Sequence, residues 1–195
     1  SRSVEVWTDT DYAGCRETRK STSGGVIRLG GHLLRGWSST QKVIALSSGE
    51  AEYYGMVRGG AEALGTKSIL GDLGINASIK LMTDSSAAKG IAMRTGLGKV
   101  RHIEVNQLWL QEKTRNREIH IVKVEGTKNI ADALTKHVDS DELKQHILGT
   151  DCLIKHGRHE LAPGVTYNNN PGNNMEEEEE VEGTGGAHYG GNQEE

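Results

Sequence analysis

VEVWTD, residues 4–9, and GGVIRLGGHLLRGWSS, residues 24–39, together decide the fold. The first alternates Val4, Val6 and Thr8 against Glu5 and Trp7, the period-two pattern of a strand, and it ends in acid, with Asp9 and then Asp11. The second holds two apolar stretches joined by Gly30-Gly31, the signal of a tight hairpin, so its halves should pair antiparallel. From Ser47 the period changes: Tyr53, Met56, Val57, Gly60 and Leu64 fall on one helical stripe. Glycines at 55, 59, 60 and 65 weaken that helix, by about 1 kcal/mol each relative to Ala, and let it lie close against a sheet.

Further along, IKLMTDSS (79–86) is a short strand running into Asp84, with serines ready to start a helix that carries Ala87, Ala88, Ile91 and Ala92. HIEVNQLWLQEKT (102–114) reads as a second amphipathic helix, IHIVKV (119–124) as a strand, NIADALTKH (129–137) as another helix start, and a last helix of roughly 140–148 follows Ser140. Strands separated by helices must find parallel partners, so the expected class is α/β, a mixed sheet with antiparallel hairpin strands and parallel later ones.

Composition narrows the partners. Residues 1–150 hold 21 Lys+Arg against 17 Asp+Glu, and residues 151–195 hold 2 against 10. The first segment is mildly basic and compatible with a polyanion. The second contains NNNPGNN, the run Glu176 to Glu180 and a Gly-rich end, too little apolar surface to offset ordering, and is expected to be a disordered acidic, Asn/Gly-rich tail beyond a domain of residues 1–150. No stretch reaches the roughly 20 consecutive apolar residues of a membrane span, and no signal segment opens the chain. Without an initial Met, it reads as a fragment of something longer. Cys15 and Cys152 have no metal-ligand spacing, so a reducing compartment is the default.

Four acids stand at element ends: Asp9 and Asp84 after strands, Glu50 or Glu52 in the first turns of a helix, and Asp132 at a later helix start. Each has an ordinary reading, as a turn residue, a cap or a helix-dipole partner. Delivered to one place, they would repel one another unless a cation joined them, and an all-oxygen set suits hard divalent ions, Mg²⁺ first. Two such ions, roughly 4 Å apart, clamp the attacking and leaving oxygens of a phosphodiester. Ser47 and Glu50 have the S-x-x-E spacing of a capping box. Two residues along a helix is a rotation of roughly 200°, so Glu50 and Glu52 cannot both face one metal pair, although the helical wheel does not choose between them.

The succession WTDTDYAGCRETRKSTSGGVI, WSSTQKVIALSSGEAEYYG, LMTDSSAA, VRHIE and IADALTKH closely resembles the ribonuclease H domain of copia-type LTR-retrotransposon Pol polyproteins, from Val4 to His146. The resemblance implies a ribonuclease H-like fold, a five-stranded mixed sheet flanked by helices, with an Asp-Glu-Asp-Asp site for two Mg²⁺, with Mn²⁺ as the substitute ion. It also implies hydrolysis of the RNA strand of an RNA–DNA hybrid during reverse transcription. Carried over residue by residue, its metal-holding catalytic acids are Asp9, Glu52, Asp84 and Asp132, with Glu52 chosen by the family pattern that continues Tyr53, Tyr54, Gly55. Asp9 would bridge both ions, Glu52 and Asp84 would hold the one near the leaving 3′ oxygen, and Asp132 the one that activates water. Asp11 belongs to the signature as a neighbour.

Arg101 and His102, beside Lys99, are the candidate substrate contacts, to backbone phosphate. Lys113, Arg115 and Arg117 read as an exposed turn, and Trp7, Trp37 and Trp109 as core. Many relatives carry a His in the loop before the last Asp; here Glu125 to Asn129 holds none, and His120 and His137 lie elsewhere. The implied partners are the hybrid and the reverse transcriptase domain of the same polyprotein, in a cytoplasmic or nuclear setting, with no membrane. Integrases, resolvases and exonucleases share strand-end acids, but RKSTSGG and EAEYYG are copia-type blocks. A decayed or domesticated nucleic-acid-binding copy is the alternative, and it would be expected to have lost acids that this chain keeps. A mere polyprotein spacer would bind no metal.

Overall fold

Strand β1 (Ser3–Asp11) runs through the middle of the sheet and carries the hairpin on one side and the parallel strands on the other. The computed structural model describes residues 2–98, 102–152 and 157. After β1 come β2 (Thr22–Leu29), β3 (His32–Thr40), helix α1 (Ser48–Asp72), β4 (Ser78–Thr83), α2 (Ser86–Met93), α3 (Trp109–Arg115), β5 (Ile119–Lys123) and α4 (Ser140–Gly149). The sheet order is β3-β2-β1-β4-β5. β1–β2 and β2–β3 pair antiparallel, β1–β4 and β4–β5 parallel. The sheet is five-stranded and mixed, as the resemblance implies. At the hairpin, Gly30 and Gly31 both take positive φ (58° and 93°), the mirror-image turn that matches strand twist, and Leu29 pairs with His32.

Even-numbered residues of β1 face α1. Val4 and Val6 are fully buried among Met56, Ile79, Leu81 and Leu110 of the core. α1 can approach because Gly55 and Gly59 lie on its sheet-facing side: a Cβ on Gly55 would stand 2.5 Å from Thr10 Oγ1, and one on Gly59 2.5 Å from Thr8 Cγ2. Gly59→Val should therefore cost roughly 2–3 kcal/mol through overpacking, read as a lower urea midpoint with an unchanged slope. An unchanged midpoint would mean that the helix is not held to the sheet at this point.

The parallel register places Trp7 beside Met82; carried two residues on, it brings Asp9 level with Asp84 at the end of β4. Ser85 caps α2, its side chain accepting from Ala88 N at 3.1 Å, which leaves Asp84 out of the cap.

Three expectations are corrected. Instead of a helix over 102–114, Glu104 is extended, a 3₁₀ turn spans Val105–Gln107, and α3 begins only at Trp109. Ile103 is buried as an anchor and Tyr53 OH donates to Gln107 O at 2.7 Å, so this segment serves the core as a strap. In place of a helix over 129–137 there is one 3₁₀ turn, Asp132–Leu134. Buried Asn129 sets it, donating from Nδ2 to Thr8 O (3.0 Å) and accepting from Ala131 N (3.2 Å), so its amide competes with helical bonding. The last helix is capped by Asp139, which accepts from Asp141 N and Glu142 N, while Ser140 is its first helical residue. The acidic tail lies outside the described residues apart from 151, 152 and 157. No helix among the described residues is long and apolar enough to cross a membrane.

Candidate active site

The first turns of α1 separate two glutamates by environment. Ser47 caps the helix, its Oγ accepting from Glu50 N at 3.2 Å. Glu50 returns the favour one residue further out than a capping box requires, with Oε2 accepting from Leu46 N at 3.1 Å. Tyr54 OH donates to Glu50 Oε1 (2.8 Å), and His102 Nε2 lies 2.6 Å from Glu50 Oε2. Glu50 is 1 % exposed and fully engaged in structure. The Tyr54 hydroxyl is held well above its usual range by burial, and then by this carboxylate.

Glu52 points the other way, to the end of β1. Carboxylate oxygens of Asp9, Glu52 and Asp84 all lie within 4.8 Å of one another. Asp9 is 2 % exposed, so the cluster is rooted in the interior. Burial pushes the Glu52 carboxyl up to about 8, and the charges of Asp9 and Asp84 push the same way, against Lys136 and the Thr10 backbone N–H. Asp9 is raised too, first by burial and then by Asp132 and Asp84, with the Thr135 hydroxyl and Lys136 opposing. Glu52 Oε2 is buried with no hydrogen-bond partner among the described residues. An acceptor so placed requires a proton or a cation, and three converging oxygen donors fit a hard divalent ion.

Asp132 stands apart from that trio. Its 3₁₀ turn is fastened to the sheet by Ser38 Oγ donating to Leu134 O (2.6 Å) and by a seat at Gly24, where a Cβ would come within 2.8 Å of Leu134 Cβ and Thr135 Cγ2. The Asp132 carboxylate is bonded to Lys136 Nζ at the rim. Thr135 Oγ1 donates to Asp9 Oδ2. Burial works against the Lys136 ammonium, yet its bond to Asp132 and the charges of Asp9, Asp132 and Asp84 outweigh burial and raise its pKa. Thr135 and Lys136 are members of the site that sequence reasoning passed over. Their only signal is position, three and four residues after a candidate acid in IADALTKH.

Asp11 is turned to the β1–β2 connection, where Thr22 N donates to its Oδ1. The loop before the 3₁₀ turn comes near the acids by backbone: a Cβ on Gly126 would be 3.3 Å from Asp84 Oδ2. His102 is committed through Nε2 to Glu50, and its side chain is 43 % exposed. Lys99 and Arg101 lie outside the described residues. Lys113 pairs with Glu118 at 2.9 Å, and Trp37 and Trp109 belong to or pack on the core.

No family model matches the chain. Over 150 residues it is 31 % identical to the retrovirus-related Pol polyprotein from transposon TNT 1-94 of Nicotiana tabacum, covering 75 % of this chain and 11 % of that one. It is 27 % identical over 137 residues to the retrovirus-related Pol polyprotein from transposon RE1 of Arabidopsis thaliana, covering 69 % and 9 %. The chain thus spans about a tenth of the length of the curated relatives it matches. Among solved structures, a ribonuclease H1 isolated from compost superposes with a TM-score of 0.47 at 18 % identity, over 75 % of this chain and 99 % of that one. The N-terminal ribonuclease H domain of a Mycobacterium tuberculosis protein gives 0.46 at 19 %, over 76 % and 98 %.

Proposed function

We propose that this chain, a homologue of the retrovirus-related Pol polyproteins of plant transposons, is a ribonuclease H domain that hydrolyses the RNA strand of RNA–DNA hybrids. The observation that carries the reading is the meeting of Asp9, Glu52 and Asp84 at the strand ends, with one buried Glu52 oxygen left without a partner among the described residues. Two Mg²⁺ ions, or Mn²⁺ in their place, would supply an activated water and charge neutralisation at the leaving oxygen. Asp9, Glu52, Asp84 and Asp132 are the residues to hold them.

The remaining roles belong to the chain's own groups. Asp9, central and kept in place by the Thr135 hydroxyl, is the acid shared by both halves of the site. Asp132 is paired with Lys136, whose ammonium offsets the negative charge of the cluster, a charge that a bound divalent cation would also offset. The products are a 3′ hydroxyl and a 5′ phosphate. Arg101 and His102 contact backbone phosphate; with His102 Nε2 on Glu50, its Nδ1 is the nitrogen that faces a phosphate oxygen. Discrimination for RNA comes through the 2′ hydroxyl. The domain is residues 1–150, with the acidic tail outside it, and it works beside the reverse transcriptase segment of the same polyprotein in the cytoplasmic particle of the element.

The test is cleavage of an end-labelled hybrid in Mg²⁺ by the native chain and by Asp84→Asn. The native chain should cut only the RNA strand and the variant should be slower by at least about a hundredfold, a loss of roughly 3 kcal/mol of transition-state stabilisation. Equal rates would remove Asp84 from the site, and an uncut hybrid would remove the function.

A further inference from the structure

Beside the acids, on the β3 flank of α1, a cavity of about 770 Å³ takes no part in the chemistry above. Its walls are the end of β3 through Val43, the outer face of α1 with Tyr54 and Arg58, and the segment from Glu104 to Trp109. We propose that it is a subsite for one unpaired nucleotide of the nucleic-acid strand that runs past the active site. The proposal rests on the ribonuclease reading only in taking nucleic acid as the ligand.

Gln41 supplies the first reason. It is a wall of the cavity, 8 % exposed, and its Nε2 donates to Ser23 Oγ and Ala51 O, both at 2.8 Å. Because Ala51 O accepts only, the amide cannot be flipped, and Oε1 is fixed as an acceptor with no donor among the described residues. Gln41 thus gives the cavity wall a fixed acceptor, just inside its surface, that no donor among the described residues satisfies, the type of group a base amine or a ribose hydroxyl pairs with.

Charge supplies the second. Arg58 is fixed at the β3 wall, bonded to Ser39 Oγ and lying 5.7 Å over the Trp37 ring centroid, and Lys42 stands on the same wall. Glu104 is on the other wall, bonded by Asn106 Nδ2 at 3.1 Å. A ligand with an anionic end and a donor-bearing end matches this polarity, and the aromatic sides of Tyr54 and Trp109 suit the flat face between them. A base locked in a duplex cannot present its edge inside a concavity of this kind, so the occupant is an unpaired nucleotide.

Place supplies the third. Thr10, next to Asp9, pairs with Ser23, and Ser23 with Ser39, so the cavity wall is two strand spacings, roughly 10 Å, from the acid-bearing strand. Side chains connect the cavity wall to β1: Thr10 Oγ1 to Ser23 Oγ at 3.4 Å, and Ser23 Oγ to Gln41. By that distance along the sheet, the cavity wall lies within the span of about two nucleotides of the acid-bearing strand.

The test uses the full 195-residue chain carrying Asp84→Asn, with fluorescence anisotropy of two labelled probes, a blunt RNA–DNA hybrid and the same hybrid with a four-nucleotide unpaired extension. The extension should tighten binding about tenfold, the worth of one stacked base. The ratio should fall to about one in Lys42→Ala/Asn106→Ala, both exposed positions, and in Arg58→Gln. Equal affinities for the two probes, or a ratio that survives both variants, would overturn the proposal. Cleavage of the blunt hybrid by the native chain decides the ribonuclease reading separately, so either can fail alone.

Discussion

Glu52→Gln should leave the domain more stable and nearly inert. In the metal-free protein the Glu52 carboxyl sits near 8, against 4.5 when unperturbed. Between those values the folded chain holds a proton that the unfolded chain has released. Stability must then fall as pH rises from about 5 to about 8, because the folded state binds more protons over that window. The expected loss is on the order of 2 kcal/mol, below the full value of the shift because water relaxes around the partly open site. Gln cannot ionise, so the variant in chelator should show a flatter pH profile and melt above the native chain at pH 8. Adding Mg²⁺ should restore the native chain at pH 8 and do little for the variant. Cleavage by the variant should drop about a thousandfold. Urea unfolding at pH 5, 6.5 and 8, with and without Mg²⁺, is the measurement; a native profile that rises with pH would remove the buried, protonated carboxyl from the account.

Its neighbour two residues away should behave in the opposite sense. Glu50→Ala strands Leu46 N, the Tyr54 hydroxyl and His102, three groups that now share one buried carboxylate. Loss of a buried, fully bonded charge costs about 3 kcal/mol, or a melting temperature lower by roughly 10 °C for a domain of this size. The part that stays folded should still cut hybrid, measured per folded molecule at low temperature. If Glu50→Ala abolished cleavage with the melting point unmoved, while Glu52→Gln cut normally, the two acids would have been assigned the wrong way round.

That contrast shows what can be read from a sequence of this kind. β1, the hairpin and α1 are legible because burial on one face imposes a period, and period survives in the residue order. The capping serine and the two glutamates are legible as a pair, yet only contacts tell which carboxylate is satisfied. Where the chain fails to form the expected helices, at 102–108 and 129–137, the deciding groups are far away in sequence: Tyr53 for the first, Thr8 for the second. Helical spacing at Asp132 is real in the letters and is overruled by one buried asparagine. Lys136 could not be recognised as part of the site, since its role comes from β1 and β4 acids brought beside it by the sheet register.

Gly55 and Gly59 acquire a second meaning in this light. They act as a caliper: with no side chain of its own at these two points, α1 rests directly on the Thr8 and Thr10 side chains, and Glu52, three residues before Gly55, comes within reach of the oxygens of Asp9 and Asp84. A side chain added along this seam would therefore move Glu52 relative to the other two carboxylates as well as loosen the fold.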